Sequence, residues 1–237
     1  GDTTGWGGVR RVDATDPQGG TEGVEFHLTD TADQDATAPS GEVPAGFSSW
    51  NADLHLRNSL YWSKLAMAEA PGNVAAAVVT HWLMKSEMAY AAHALSRAIP
   101  HSIKRPLKTR IWYKYPDQSS STPQVAGTGT EPSVIGRVLT GGASQISEFS
   151  YNAKGMVTSR TDPVGRQTTY IWDTNGIDLL QVRQTKPGGY DVLATYDDYT
   201  SQHLAESMTD AAGQTTTLTY NGVGQPLTLT NALDETT

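Results

Sequence analysis

The feature that most constrains the fold is a repeat of 21 residues in the C-terminal part of the chain. Tyr151 is followed after 11 residues by Asp162 and after 10 more by a second aromatic residue, Trp172. The same 21-residue interval separates Tyr199 from Tyr220. Self-similarity at a fixed period of this length is typical of architectures that stack one small unit many times. We therefore expect repeated units here rather than a single irregular core.

Each repeat contains two tight-turn signals. In the segment 161–165, Thr-Asp-Pro-Val-Gly, the aspartate can bond its own backbone, the proline fixes φ and the glycine can adopt a positive φ. The segment 209–213 has the same form, and a second turn is expected at 152–155 and at 221–224. β-branched and aromatic residues between the turns predict strands. Each repeat is thus a hairpin-like element that needs stacked neighbours to cover its apolar face.

The recurring positions are interpreted as structural positions of the repeat. They are Tyr151, Gly155, Asp162, Gly165, Trp172, Tyr199, Asp210, Gly213, Tyr220 and Gly224. The aromatic members occupy one phase of the repeat, which favours a ladder of core side chains. The same rings could instead form an exposed platform that stacks on sugars, and this alternative stays open.

Weaker copies of the unit lie upstream. Residues 15–26 align with 161–172, and residues 105–113 keep the proline and the aromatic end of the unit. Trp172 and Tyr199 are 27 residues apart, which indicates an insertion of six residues. We expect this insertion to lengthen a turn near Lys186-Pro187-Gly188-Gly189.

Two regions are predicted from this pattern. Residues 1–148 are expected to be degenerate repeats with an inserted helical or irregular segment at about 45–100, and residues 149–237 to be regular repeats cut short at the C-terminus. We expect the chain to be part of a longer polypeptide. Hydrophobic residues make up 37% and charged residues 18% of the chain, and this balance suits half-exposed strands joined by turns. The fold class predicted is mainly β.

The middle of the chain interrupts the repeat. Leu60, Tyr61, Lys64, Leu65 and Ala68 have helical spacing, so a short helix is expected near 58–70. Alanines over 74–83 are compatible with a helix, whereas Ala-Val-Val-Thr-His-Trp within it resembles a buried strand. We favour the strand, and the region 74–98 stays open between the two.

Several functional classes find little support in the sequence. The net charge of −8 and the absence of a clustered basic surface argue against nucleic-acid binding. No apolar run reaches the roughly 18 residues of a membrane span. The chain has no cysteine, no Gly-x-Ser-x-Gly elbow and no phosphate-binding Gly-Lys loop, so we expect no cofactor.

Two groups of residues invite a metal or catalytic interpretation. Asp30, Asp33 and Asp35 lack the glycine and distal glutamate of a calcium-binding EF-hand loop, which favours a solvated loop. His55 and His81 could form a metal or acid–base cluster with Asp53 or Glu69. No His-x-x-x-His or His-Glu-x-x-His spacing supports this cluster, so structural histidines are favoured. No catalytic, cofactor-binding or metal-binding residue is predicted.

The repeat resembles the RHS family, also called YD repeats. The resemblance is carried by Tyr151-Asn152-Ala153-Lys154-Gly155, Thr161-Asp162-Pro163-Val164-Gly165 and Thr209-Asp210-Ala211-Ala212-Gly213-Gln214-Thr215-Thr216. It is strong over about 149–237 and weaker over 1–29 and 100–148. The segment Asn231-Ala232-Leu233-Asp234 departs from it, because Asp234 stands where the pattern has glycine.

The resemblance implies a wall segment of a hollow β-shell. Members of the family are very large secreted or cell-surface proteins of bacteria and animals, and in bacterial toxins the shell encloses a C-terminal effector polypeptide. The expected partners are neighbouring repeats of the same polypeptide and an enclosed effector. The alternative is a secreted or surface module that binds a glycan or a protein. A hydrolase built around His55 and His81 is the least favoured of the three interpretations.

Overall fold

The computed structural model describes residues 9–28, 37–85 and 96–237 of the chain. These residues form fifteen strands and one short α-helix, so the prediction of a mainly β fold is confirmed. The chain divides into two compact units, Gly1–Ile146 (unit 1) and Ser147–Thr237 (unit 2). The predicted region boundary at 148–149 lies close to this division, and the assignment of residues 1–148 as degenerate repeats stays a prediction.

In unit 1 each strand pairs antiparallel with the next strand in the sequence. The strands are β1 (Arg10–Thr15), β2 (Thr21–His27), β3 (Asn58–Trp62), β4 (Val78–Met84), β5 (Ser96–Lys104), β6 (Ile111–Lys114) and β7 (Val134–Val138). The connections contain the helix α1 (Lys64–Glu69) and three single 3-10 turns, Ser40–Glu42, Ser48–Trp50 and Val74–Ala76.

The helix predicted near 58–70 is correct for 64–69 and wrong for 58–62. Residues 58–62 form β3, in which Leu60 pairs with Glu25 of β2 on one side and Val79 of β4 on the other. Burial alternates along β3, with Leu60 buried and Tyr61 exposed, as a strand requires. The helix begins after Ser63, whose hydroxyl accepts a hydrogen bond from the backbone of Ala66.

The strand favoured for the alanine-rich segment is confirmed over 78–84, which form β4. The preceding residues 74–76 make a 3-10 turn, and the Asn73 side chain caps it by accepting from the backbone N of Ala75 at 2.9 Å. Residues 86–95, which belong to the same open question, lie outside the described residues. So do Asp30, Asp33 and Asp35 of the acidic segment.

Unit 1 has a well-packed aromatic core. One cluster joins Ala38, Phe47, Trp50, Leu54 and Trp112; a second joins Leu60, Trp62, Ala77 and Val79; a third joins Leu83, Ile99 and Tyr115. The indole nitrogens of Trp62 and Trp112 donate to the backbone carbonyls of Asn73 and Glu42, both at 2.8 Å. The long connections therefore supply both the cover and the hydrogen-bond partners of the buried rings.

Unit 2 contains an antiparallel run of strands in chain order. They are β8 (Ser144–Tyr151, which begins just before the division), β9 (Val157–Thr161), β10 (Gln167–Trp172), β11 (Leu179–Lys186), β12 (Gly189–Tyr199), β13 (Ala205–Asp210), β14 (Thr215–Tyr220) and β15 (Pro226–Thr230). No apolar side chain of unit 2 is fully buried; its one buried residue is Asp178.

The insertion between Trp172 and Tyr199 does not lengthen a turn as expected. β11 and β12 are joined by the two residues Pro187 and Gly188, and Lys186 pairs directly with Gly189. The additional residues extend the two strands, which have 8 and 11 residues. Cross-strand hydrogen bonds can absorb added residues in pairs, so a longer hairpin satisfies more backbone groups than a longer loop would.

Candidate functional site

Five turns of unit 2 share one hydrogen-bond pattern. The Oδ1 atom of Asn152, Asp162, Asp210 or Asn221 accepts backbone N–H groups from the residues two and four positions later, at 2.8 to 3.0 Å. The turn that begins at Asn231 has the same pattern. An aspartate or asparagine at the head of each of these five turns therefore replaces backbone partners that a tight turn cannot provide.

The last residue of each turn lies in the left-handed region of φ. Gly155, Gly165, Gly213 and Gly224 have φ of 80°, 83°, 79° and 80°. Asp234, which replaces the glycine in the turn after β15, has φ of 63°. The turn geometry therefore persists without glycine, although a residue with a Cβ is strained there.

The aromatic repeat positions end alternate strands and carry a second recurring bond. Trp172 Nε1 donates to the carbonyl of Val157 at 2.9 Å, and Tyr220 Oη donates to that of Ala205 at 2.8 Å. Tyr199 Oη donates in the same way to the carbonyl of Leu179 at 2.6 Å. In each case the acceptor is the first residue of the preceding strand. The aromatic side chain thus closes its hairpin at the end opposite the turn.

Each aromatic repeat residue is half-buried. A core ladder would bury the rings fully, and a glycan platform would leave a ring face open. Their burial lies between these two cases, so the choice between a core ladder and a binding platform stays a prediction.

Neighbouring turns on one edge of unit 2 are bonded to each other. Asn152 Nδ2 donates to the carbonyl of Gly176 at 2.9 Å, and Gln202 Nε2 donates to that of Gly222 at 3.0 Å. Between these turns, His203 Nδ1 lies 2.8 Å from Oδ1 of the buried Asp178. Sequence analysis missed these contacts, because they join side chains to turns that follow about one repeat later.

A second candidate site is a buried polar cluster in unit 1, formed by Arg57, His81, His101, Ser102 and Arg110. His81 lies on β4 and His101 on β5, and their Nδ1 atoms are 3.0 Å apart with the rings perpendicular. Arg57 Nη2 lies 3.3 Å from His81 Nε2, and Arg110 Nη1 donates to the Ser102 hydroxyl at 3.0 Å. Polar groups so deeply buried are rare unless they are hydrogen-bonded to one another.

Both histidines of the cluster are held in the neutral form. Burial first, and then Arg57 and Arg110, lower the pKa of His101 from 6.5 to about 3. Burial, His101 and the two arginines lower the pKa of His81 well below its ordinary value. Burial also lowers the pKa of Arg110, to about 10, so its guanidinium group stays charged at neutral pH.

The structure does not assemble the histidine and acid cluster considered from the sequence. His81 meets His101 rather than His55, Glu69 is exposed on α1, and Asp53 faces His81 through its backbone carbonyl. In the described parts of the chain, no group of three or more His, Asp and Glu side chains could hold a metal ion. Among the same residues, no helix has the length and apolar character needed to cross a lipid bilayer.

Residues 151–191 match the family model of the RHS repeat, in agreement with the resemblance expected from the sequence. No curated protein sequence matches the chain.

Three solved structures with a similar fold are much longer than this chain. A crystal structure of TcdB2-TccC3 without its hypervariable C-terminal region has a TM-score of 0.50 and 9% identity, over 93% of this chain and 10% of that one. The crystal structure of TcdB2-TccC3 and a structure of the Photorhabdus luminescens Tc holotoxin pore both have a TM-score of 0.49 and 9% identity, over 93% and 95% of this chain. The chain spans 10% of the length of each. At this level of identity the likeness extends to the fold alone.

Proposed function

We propose that this chain is a structural wall segment of an RHS-type encapsulating shell, with no catalysis of its own. The observation that carries the proposal is a regular antiparallel sheet in unit 2 without one fully buried apolar side chain. A domain that folds around its own core would bury several such side chains. A sheet that is one part of a larger wall does not need to do so.

The recurring bonds of unit 2 support this role. Each of the hairpins β9–β10, β11–β12 and β13–β14 is closed by its own turn and by its own aromatic residue, so hairpins can be added in series without a new core for each. The RHS repeat at 151–191 and the fold shared with the TcdB2-TccC3 structure agree with such a wall. The partners we propose are neighbouring repeats and an enclosed C-terminal effector, in a secreted or cell-surface protein.

A binding module for glycans or proteins is the second candidate. The half-buried aromatic side chains favour it, because a ring with one accessible face can stack on a sugar. Single-particle electron microscopy of the natural gene product that carries this sequence separates the two. A closed shell with density for polypeptide inside is expected. A sheet that is open to solvent on both faces would contradict the wall proposal.

A glycan array probed with the present chain provides the complementary measurement. We expect no saturable binding. Binding that is lost in a Trp172→Ala variant, while a Trp82→Ala variant keeps it, would favour the binding module, since Trp82 lies outside the regular repeats.

A further inference from the structure

The pair formed by His81 and His101 joins four segments of unit 1. The two histidines come from β4 and β5, while Arg57 precedes β3 and Arg110 precedes β6. Arg57 is tied to β4 twice, because its carbonyl accepts from the backbone N of Trp82 and its Nε donates to the Trp82 carbonyl, both at 3.1 Å. The cluster is therefore a junction of unit 1 rather than a local surface contact.

The pair also contacts the aromatic core. The His101 ring packs edge-on against Trp112 with centroids 5.8 Å apart, and Arg110 lies 5.8 Å from the centre of the same indole. Trp112 is fully buried and belongs to the cluster with Phe47 and Trp50. A displacement of His101 would therefore disturb the largest core cluster of unit 1.

The contact between the two rings cannot survive full protonation. With Nδ1 atoms 3.0 Å apart, one nitrogen must donate and the other accept. If both rings are protonated, both nitrogens carry a hydrogen, and two imidazolium ions stand beside two guanidinium groups. The backbone carbonyl of Asp53 raises the pKa of His81, but burial and the neighbouring cations lower it more. Glu42 raises the pKa of Arg110, but burial lowers it more.

We propose that the buried histidine pair is an acid-operated latch: protonation of His81 and His101 separates β4 from β5 and opens unit 1 under conditions in which unit 2 stays folded.

The direction of the pH effect follows from the lowered pKa values. Below pH 6.5, the ordinary pKa of histidine, the unfolded chain binds protons that the folded unit excludes. The stability that the neutral histidine pair gives to unit 1 is fully present above this pH. It is lost as the pH falls from 6.5 toward the pKa of His101 in the folded unit, about 3. For each unit by which the pH falls, protonation of one histidine multiplies the ratio of open to folded molecules by about ten, and protonation of both by about a hundred.

Unit 2 lacks a corresponding group. Its single histidine, His203, has a side chain that is 45% exposed and lies beside Asp178. This half-exposed imidazole therefore does not form a buried contact like that between His81 and His101. The two units should differ in acid sensitivity within one molecule.

Limited digestion of the intact chain with pepsin, between about pH 6 and about pH 4, tests the latch, because mass spectrometry assigns each cut to a unit. We expect the first cuts within 37–146, while 147–237 stay intact. The rate of these cuts should increase by up to about a hundredfold for each unit by which the pH falls. The protease's own pH dependence is measured on an unfolded peptide and divided out.

A double variant, His81→Gln with His101→Gln, should flatten this rise, and the matched control His203→Gln should keep it. If the double variant does not fold, the pH dependence of the cleavage rate of the unsubstituted chain is the test of the latch. A rise below about tenfold per pH unit, or simultaneous cleavage of the two units, would overturn the latch.

Discussion

Unit 1 and unit 2 are stabilised in different ways, although both are antiparallel runs of strands in chain order. Unit 1 buries Trp62 and Trp112 almost completely and uses long connections to cover them. Unit 2 leaves its aromatic repeat residues half-buried and repeats a similar turn and the same closing bond in successive hairpins. The stability of unit 1 is thus concentrated in a few side chains, while that of unit 2 is distributed over many equivalent bonds.

The difference shows what long connections between strands can add. A regular hairpin has no segment with which to cover its own face, and its loops are too short to provide one. The connection between β2 and β3 and the segment from Ser63 to Ala77 provide this cover in unit 1. These connections therefore give unit 1 a core that the short turns of unit 2 cannot provide.

The largest expected effect on stability comes from replacing a tryptophan by alanine in each unit. Trp112→Ala should lower the free energy of unfolding by about 3–5 kcal/mol, because it leaves a cavity in a packed core. Trp172→Ala should cost about 1–3 kcal/mol, since it removes a half-buried ring and one hydrogen bond. Chemical denaturation of both variants measures the two losses in the free energy of unfolding. Equal losses would remove the distinction between the two kinds of stabilisation.

A turn glycine should have a smaller effect that arises from the backbone. Gly165→Val should cost about 1–3 kcal/mol, because Gly165 has φ of 83° and a β-branched residue is strained there. A Cβ at Gly165 meets no atom within 4 Å, so crowding does not contribute. Gly222→Val is the matched control, since Gly222 is equally open and is not in the left-handed region. If both variants lose the same stability, the conformation of the turn is not the cause.

The smallest expected effect is a gain in stability from a substitution in unit 1. Leu107 has φ of 58° and is fully exposed, so its side chain adds strain and no packing. Leu107→Gly should stabilise the chain by about 0.5–1 kcal/mol, which thermal unfolding can detect. Val164→Gly is the control in a turn of unit 2, where Val164 is exposed but does not have a positive φ. That substitution should destabilise slightly, and a loss at both positions would contradict the assignment of strain to Leu107.

The features that sequence analysis predicted best are local ones. The turns at 152–155, 162–165, 210–213 and 221–224 depend on residues within five positions of each other, so composition and spacing were enough to place them. The mainly β fold followed from the strands that these turns connect. The helix was placed too early because Leu60 and Tyr61 fit a helical spacing, whereas pairing with β2 and β4 decides their conformation.

The histidine pair could not be found from local pattern. His81 and His101 are 20 residues apart, and their contact depends on the register of β4 and β5, which shifts just after His81. A prediction would have required the position of that bulge and the course of residues between the strands. Residue types and spacing alone suggested His55 as a possible neighbour of His81 and favoured structural histidines over such a cluster.

The strand order of unit 2 also has a consequence for synthesis. Each strand from β9 to β14 pairs with the strand before it and the strand after it, so no contact must wait for a distant part of the chain. Folding rates are highest when contacts are close in sequence. A growing chain could therefore lay down one hairpin at a time as it leaves the ribosome or emerges from an export channel, and each finished hairpin would present its last strand as the template for the next.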